Sequence, residues 1–215
     1  GVVLVSGTPS NTDSLVDSPT NGTQTDTGAG GEVVGNYATL NPLVKKGIIT
    51  FSEGNLKLTG AGSNSHGFTG VTINPQSGKY YFEYTTTMVS NTDGHYGAGV
   101  VSTYDYSAGN PAANSYPSSF CGFFPRTDIN SVVNGSETGA STTEPTVGYT
   151  VGLAYNFDAK TITLYLNGAQ GNTVSFSSVA NPLLYINWAN QSNIADYNFG
   201  QRAFAYTAPS GYKSL

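Results

Sequence analysis

The chain has very little cysteine: Cys121 is the only one among 215 residues. A single thiol cannot form an intrachain disulfide, and it cannot supply the grouped thiolates of a structural zinc site. Cys121 lies in the apolar run 119–124, where a thiol packs as a small hydrophobic group. We therefore expect a buried core residue there rather than a reactive nucleophile.

Charge is also scarce, because charged residues make up only 10% of the sequence and the net charge is −5. Binding to a phosphate backbone requires clustered lysine and arginine. Lys45 and Lys46 are the only adjacent basic residues, and a solvated turn explains them. No apolar run approaches the ~20 residues that span a bilayer. These absences predict a protein with no nucleic-acid partner and no membrane insertion.

The sequence is rich instead in aromatic and turn-forming residues, with 15 Tyr, 10 Phe and 27 Gly. Threonine and aromatic side chains fit the pleated surface of a sheet, while glycine and asparagine fit tight turns. The helix formers Glu, Lys, Arg, Met and Gln are few. The composition therefore predicts an all-β protein.

Alternation of apolar and polar residues marks several strands. A long strand is predicted over 80–89, with one apolar face and an opposite face that is half apolar and half solvated. The apolar face carries Tyr80, Phe82, Tyr84 and Met88, and the opposite face carries Tyr81, Glu83, Thr85 and Thr87. Residues 147–166 form the clearest hairpin, and Asn167-Gly168 forces the next reversal. Many short strands without a helical period predict an antiparallel two-sheet sandwich.

The N-terminal part of the chain differs in composition from the rest. Residues 1–34 are rich in Ser, Thr, Asn and Gly, interrupted by Leu15-Val16, and the sandwich is predicted over 35–215. We expect an extended polar arm, strapped over the body with Leu15-Val16 as its anchors. Disorder is the alternative for a segment of this composition.

The C-terminal segment is dense in aromatic rings, namely Phe199, Phe204, Tyr206 and Tyr212. Exposed rings at this density would promote aggregation. We therefore expect a closing strap that buries its rings against a body that is already folded.

Two long segments, 102–119 and 134–144, lack strand patterning and are predicted to be irregular loops. Long loops in compact domains often carry function. The first one interleaves tyrosine rings with amides, a combination used to recognise sugars or proteins. The candidate binding residues are Tyr104, Tyr106, Asn110, Asn114 and Tyr116. The alternative is that these rings only pin the loop to the sandwich.

No catalytic or metal-binding constellation is recognisable in the sequence. His66 and His95 lack the HxxxH or HExxH spacing, and no G-x-S-x-G motif is present. Glu83 is the only acid central to a predicted strand, so the carboxylate pair of a glycosidase is missing. The aspartates beside turns are explained by Asx capping, with a calcium site as the alternative: Asp93, Asp105, Asp128, Asp158 and Asp196. We expect no enzymatic activity, no metal and no cofactor.

Several motifs in order along the chain resemble the SPRY domain. They are Gly78-Lys79-Tyr80-Tyr81-Phe82-Glu83, Gly97-Ala98-Gly99-Val100, the run 151–158 that ends in Phe157-Asp158, and Leu164-Tyr165-Leu166-Asn167-Gly168. The resemblance implies a bent antiparallel β-sandwich of concanavalin-like shape. The runs 35–43 and 198–204 are similar, more narrowly, to SPRY-type modules of marine bacteriophage virion proteins.

This resemblance implies a structural module of a phage fibre, tail or capsid exterior, displayed on the virion surface. Its function would be non-covalent attachment or host-receptor binding, as a homo-oligomer that contacts other virion proteins and a host-surface glycan or protein. In such proteins the pattern continues past the position of Leu215, so we expect a piece of a longer chain. The alternatives are a lectin-like carbohydrate-binding module and, third, a polysaccharide depolymerase.

Overall fold

The computed structural model of the protein describes residues 37–60, 66–87, 95–105, 116–125, 128–143, 148–189 and 194–215. The arm predicted over 1–34, with its anchors Leu15-Val16, lies outside the described residues. The described ranges form strands without helices, so none of their elements is a helix that could cross a membrane. The all-β fold expected from composition is confirmed.

The strands are β1 (Leu40–Lys46), β2 (Ile49–Ser52), β3 (Lys57–Gly60), β4 (His66–Val71), β5 (Lys79–Thr87), β6 (His95–Val101), β7 (Cys121–Pro125), β8 (Asp128–Val133), β9 (Ser136–Thr143), β10 (Tyr149–Asn156), β11 (Thr161–Leu166), β12 (Ala169–Ser175), β13 (Leu183–Ala189), β14 (Ile194–Asn198) and β15 (Lys213–Ser214). One sheet has the order β1-β4-β13-β6-β7-β8-β9, and the other has the order β12-β11-β10-β5-β14-β3-β2. We call them the seven-stranded and the eight-stranded sheet, since β15 also pairs with β5. Apart from that short parallel pair the strands are antiparallel, which confirms the two-sheet sandwich.

The core between the sheets is built from the apolar faces that alternation predicts. Phe82 on β5 stacks on Tyr155 of β10, with ring centroids 5.6 Å apart, and lies 5.0 Å from the ring of Phe199. Cys121 is buried in the same cluster, as the sequence predicts, and Trp188 is buried there too. Full burial of each such side chain contributes about 1.5–3 kcal/mol, so the aromatic content accounts for a large part of the stability.

The second predicted loop, 134–144, is instead mostly a strand. Asn134 and Gly135 both have positive φ, 50° and 72°, and form a two-residue turn between the paired residues Val133 and Ser136. This is the geometry that favours Asn-Gly in tight hairpins. The prediction of an irregular loop is wrong because β9 is a polar edge strand whose Ser, Thr and Glu side chains show no apolar alternation.

The closing segment, residues 199–215, begins and ends in the core, at Phe199 and Leu215, and between them it packs Phe204 and Tyr212 on the outer face of the eight-stranded sheet. Phe199 is fully buried, as expected, and the ring of Phe204 packs 5.0 Å from that of Tyr81. Tyr206 is 36% exposed, so the prediction that its ring is buried is wrong. Its ring lies against the turn at Gly168, beside the eight-stranded sheet.

The outer face of β5 is more buried than the alternation suggests. Tyr81 is 1% exposed and Glu83 is 3% exposed, because the closing segment covers them. Thr85, two residues further along the same face, is exposed. The expectation of a half-solvated face is therefore correct only for the end of the strand that the closing segment leaves open.

Candidate functional site

Tyr104 and Tyr116, two of the five candidate binding residues, lie on the outer face of the seven-stranded sheet. The Tyr104 hydroxyl donates to the carbonyl oxygen of Leu184 at 2.9 Å, and its ring stacks on Phe68 at 5.9 Å. The Tyr116 hydroxyl donates to Oε1 of Glu137 at 2.9 Å. Both rings are half-buried and fixed to the sheet. The other three candidates, Tyr106, Asn110 and Asn114, lie outside the described residues.

Glycines under Tyr104 and under Phe120, the ring on which Tyr116 stacks, explain how closely these rings approach the sheet. A Cβ at Gly70 would lie 2.6 Å from the Tyr104 hydroxyl oxygen, and one at Gly99 would lie 2.7 Å from the ring of Phe120. Only a residue without a side chain leaves room for rings that lie flat on strands. The glycine-interrupted strand β6 therefore packs closely against its neighbours.

A polar cleft of about 540 Å³ opens on the outer face of the other, eight-stranded sheet. Strands β5 and β14 form its floor, β3 and the turn before it form one side, and the closing segment forms the opposite wall. The lining residues are Glu53, Lys57, Glu83, Tyr84, Thr85, Asp196, Asn198, Arg202, Ala203 and Ala205. Neither Tyr104 nor Tyr116 belongs to this set.

Strand pairing places the polar residues of the cleft floor in one row. Asp196 on β14 is the cross-strand neighbour of Lys57 on β3 and of Thr85 on β5. Adjacent strands lie about 4.8 Å apart, so the three side chains leave the sheet side by side. Thr85 continues the row, because its hydroxyl is 2.9 Å from that of Thr150 on β10.

Asp196 is the chemically available acid of the cleft. Its half-buried carboxylate has no hydrogen-bond or ion-pair partner among the described residues. The sequence places Asp196 beside a turn, where capping would explain it, but the residue lies in the middle of β14. That prediction is wrong because β14 begins at Ile194, two residues before Asp196.

The cleft has two cations, one at the end of the row and one on the opposite wall. Lys57 Nζ lies 3.8 Å from Oε1 of Glu53, a loose pair at the rim. Arg202 rises from the opposite wall and is exposed, with Nη2 donating to the carbonyl oxygen of Tyr197 at 3.2 Å. That contact uses one of the five N–H groups of the guanidinium and leaves others for a ligand.

Glu83, at the base of the wall, is fully occupied by its own chain. Oε1 accepts from the Tyr81 hydroxyl at 2.9 Å and from the Tyr206 N–H at 3.0 Å, and Oε2 accepts from the Ala205 N–H at 2.7 Å. Burial and the adjacent Glu83 charge raise the pKa of Tyr81 well above its ordinary value, so this phenol remains a donor. Two of the three hydrogen-bond partners of this strand-central acid are thus backbone N–H groups of the closing segment, and the third is the Tyr81 hydroxyl.

Asn198 fixes the part of the wall that carries Arg202. Its Nδ2 donates to the carbonyl oxygens of Arg202 and Ala203, at 3.0 and 3.2 Å. Its Oδ1 accepts from the N–H groups of Gly200 and Arg202, at 3.1 and 3.2 Å. A buried amide with four partners holds this turn in a single conformation.

The turn aspartates that the sequence offers as capping residues or calcium ligands can be examined where the structure describes them. Asp158 accepts from the Gly78 N–H at 2.9 Å and joins two turns. Asp93 lies outside the described residues, and so do the surroundings that would test a calcium site there. Within the described ranges, no three His, Cys, Asp or Glu side chains group closely enough to hold a metal ion.

No protein-family model matches this sequence, and no curated protein matches it either. Solved structures resemble it in shape. The SPRY domain of human HERC1 is 16% identical with a TM-score of 0.58, over 74% of this chain and 96% of that one. The TRIM65 PSpry domain is 13% identical with a TM-score of 0.53, over 75% and 92%. The metal-free carbohydrate recognition domain of Emp46p is 14% identical with a TM-score of 0.49, over 72% and 86%.

The first two similarities establish the fold of this chain. It is a SPRY-like, concanavalin-like β-sandwich, as the order of the sequence motifs implies.

Proposed function

We propose that the chain is a non-catalytic binding module and that its ligand occupies the cleft on the eight-stranded sheet. The observation that carries this proposal is the half-buried, unpartnered carboxylate of Asp196 in a cleft whose opposite wall presents Arg202. Because this carboxylate is only half-buried, a ligand in the cleft can reach its oxygens, which accept hydrogen bonds. A concave surface whose polar groups converge from rigid strands can orient a polar ligand through directional hydrogen bonds.

Binding without chemistry is supported by the state of the acids. Glycoside hydrolysis needs a proton donor and a second carboxylate, both accessible to the sugar. Both oxygens of Glu83 accept hydrogen bonds from the protein, and Glu53, at the rim, is paired with Lys57, so Asp196 is the unpartnered acid among the described residues of the cleft floor. The SPRY-like fold of the chain is compatible with a module that recognises rather than converts its ligand.

We further propose that this module belongs to the exterior of a virion, as a fibre, tail or capsid component. The support is the sequence similarity of the runs 35–43 and 198–204 to SPRY-type modules of marine phage virion proteins. An oligomeric module would multiply a weak cleft interaction by avidity. Mass spectrometry of purified particles should detect the chain, and its absence from them would remove the virion assignment while leaving the binding module in place.

The cleft can be tested by filling it. Thr85→Trp places an indole on the exposed floor, and Thr163→Trp is a matched control on the same outer face. Thr163 also forms a cross-strand hydroxyl pair, at 2.8 Å from Thr173 compared with 2.9 Å for Thr85 and Thr150. Labelled protein is titrated onto cell envelopes from a panel of marine bacteria. Thr85→Trp should lose most of the binding, and Thr163→Trp should bind like the wild type.

Equal binding by the two variants would contradict the assignment of the cleft. A wild-type protein that binds no envelope in the panel would contradict the binding module itself. Urea unfolding of both variants verifies that each is folded under the assay conditions.

A further inference from the structure

We propose that the ligand of the cleft is a saccharide, recognised through its hydroxyl groups by Asp196 and Arg202. This inference rests on the proposed binding function and adds the chemical class of the ligand. It depends on three properties of the cleft: the unpaired opposite charges, the small side chains between them, and the fixed position of the wall.

The charges of the cleft require a ligand that both donates and accepts hydrogen bonds. Asp196 only accepts, Arg202 only donates, and no ion pair joins the two across the cleft. Lys57 and Glu53 partly neutralise each other at the rim. A sugar hydroxyl acts as donor and acceptor at once, so neighbouring hydroxyls satisfy a carboxylate on one side and a guanidinium on the other.

The same charges disfavour simpler ligands. A phosphate or sulfate group would approach the carboxylates of Asp196 and Glu53 as well as the two cations, so like-charge repulsion opposes it. An apolar ligand would find no ring to pack against, since the only aromatic lining residue, Tyr84, directs its hydroxyl to the carbonyl oxygen of Tyr96 inside the core. A polar, nearly neutral molecule fits the lining best.

The shape of the cleft is consistent with a hydroxyl-rich chain lying across the sheet. Thr85, Ala203 and Ala205 are exposed and small, so the surface between the charged groups is shallow and lacks a deep pocket for an anchoring side chain of a peptide. The row of Lys57, Asp196 and Thr85 offers polar groups at successive strand spacings of about 4.8 Å. An extended saccharide can contact several of them together.

The wall that carries Arg202 is held in place before a ligand arrives. Asn198 makes four hydrogen bonds to residues 200–203, and Glu83 accepts the N–H groups of Ala205 and Tyr206. A preorganised site loses little conformational entropy on binding, which matters for the weak contacts that hydroxyl groups provide.

The test uses the same bacterial envelopes after two treatments. Periodate cleaves vicinal diols of saccharides, and protease removes surface proteins. Wild-type binding should be abolished by periodate, survive protease, and be competed by oligosaccharides released from the untreated envelopes. Asp196→Asn and Arg202→Gln should each weaken binding roughly tenfold or more, since each removes a charged hydrogen-bonding partner.

Matched control variants remove one charge outside the cleft, so they show whether a loss of binding comes from the change in net charge or from the loss of a cleft residue. Asp128→Asn removes a half-buried carboxylate from β8 of the other sheet, and Lys213→Gln removes an exposed cation from β15. Both should bind like the wild type. The urea midpoint shows whether Asp196→Asn is folded. If it folds poorly, Arg202→Gln still tests the site, because Arg202 is exposed and its replacement should not disturb folding.

The outcomes separate this inference from the function on which it rests. Binding that Thr85→Trp abolishes, but that resists periodate and is lost with protease, means a protein ligand and overturns the saccharide assignment alone. Wild-type affinity in both Asp196→Asn and Arg202→Gln also overturns it. Binding that is insensitive to Thr85→Trp overturns the cleft and the saccharide together.

Discussion

At the scale of single residues, two buried polar side chains attach the closing segment to the sheet by hydrogen bonds. Glu83 accepts three hydrogen bonds and Asn198 takes part in four, nearly all of them with backbone groups of residues 200–206. Backbone groups of an irregular segment have no strand neighbour, so side chains must satisfy them. The cleft wall therefore exists because of these two residues.

Replacing Glu83 should loosen this wall. Glu83→Gln removes the negative charge and converts one acceptor oxygen into a donor that faces an N–H group. Charge-assisted hydrogen bonds contribute about 1.5–3 kcal/mol, so we expect a loss of that size in the free energy of unfolding. Urea unfolding measures it, and hydrogen exchange at Ala205 and Tyr206 should accelerate. Glu137→Gln, at an exposed acid that accepts from the Tyr116 hydroxyl, is the control and should cost much less; equal losses would contradict the role of Glu83.

At the scale of elements, tight turns with left-handed backbone determine how the strands pair. Gly54 in the β2–β3 turn and Gly135 in the β8–β9 turn have φ of 65° and 72°. A Cβ at Gly54 would meet open space, whereas one at Gly135 would lie 2.8 Å from the carbonyl oxygen of Pro117. The two glycines thus share a backbone requirement, and only the second also has a packing requirement.

This difference predicts unequal effects of the same substitution. Gly54→Ala should lower the free energy of unfolding by about 1–2 kcal/mol through backbone strain alone. Gly135→Ala should cost more, because the chain 117–118 must also move away from the new methyl group. Thermal or urea unfolding of the two variants measures the difference. A smaller loss for Gly135→Ala would mean that the contact with Pro117 does not limit the turn.

The sequence predicts a turn correctly where apolar and polar residues alternate in the strand that leads into it. Asn167-Gly168 follows the strongly alternating strand β11 and is correctly predicted as a reversal, whereas Asn134-Gly135 is the same dipeptide before the polar strand β9 and is missed. Asp196 is misjudged for a related reason: the position of an acid within a strand depends on where pairing begins. The cleft itself could not be predicted, because it is formed by residues about 120 positions apart, such as Glu83 and Ala205.

At the scale of the whole molecule, tyrosine makes the stability depend on pH in the alkaline range. Burial raises the pKa of several tyrosines above the value near 10 that they have when the chain is unfolded. These residues are Tyr81, Tyr96, Tyr155, Tyr185 and Tyr197. The folded state therefore keeps phenolic protons that the unfolded state releases.

The sign of the effect follows from proton binding. Above about pH 10 the folded state binds more protons than the unfolded state, so the free energy of unfolding falls as the pH rises, while it is unaffected by these groups below that pH. Urea unfolding at a series of pH values should give this decline, and tyrosinate absorbance of the buried rings should appear only as the protein unfolds. Complete tyrosine ionisation with the fold intact would contradict the burial of these rings.

The position of Trp188 has an optical consequence for the whole molecule. It is the only tryptophan of the chain, and it is buried within a core that is crowded with tyrosine rings. Excitation absorbed by those rings passes by short-range energy transfer to one indole in an apolar environment. The folded protein should therefore emit almost entirely as a single blue-shifted tryptophan band, and separate tyrosine emission should appear when the sheets part. The core thus contains a native reporter of sandwich opening that requires neither a label nor a substitution.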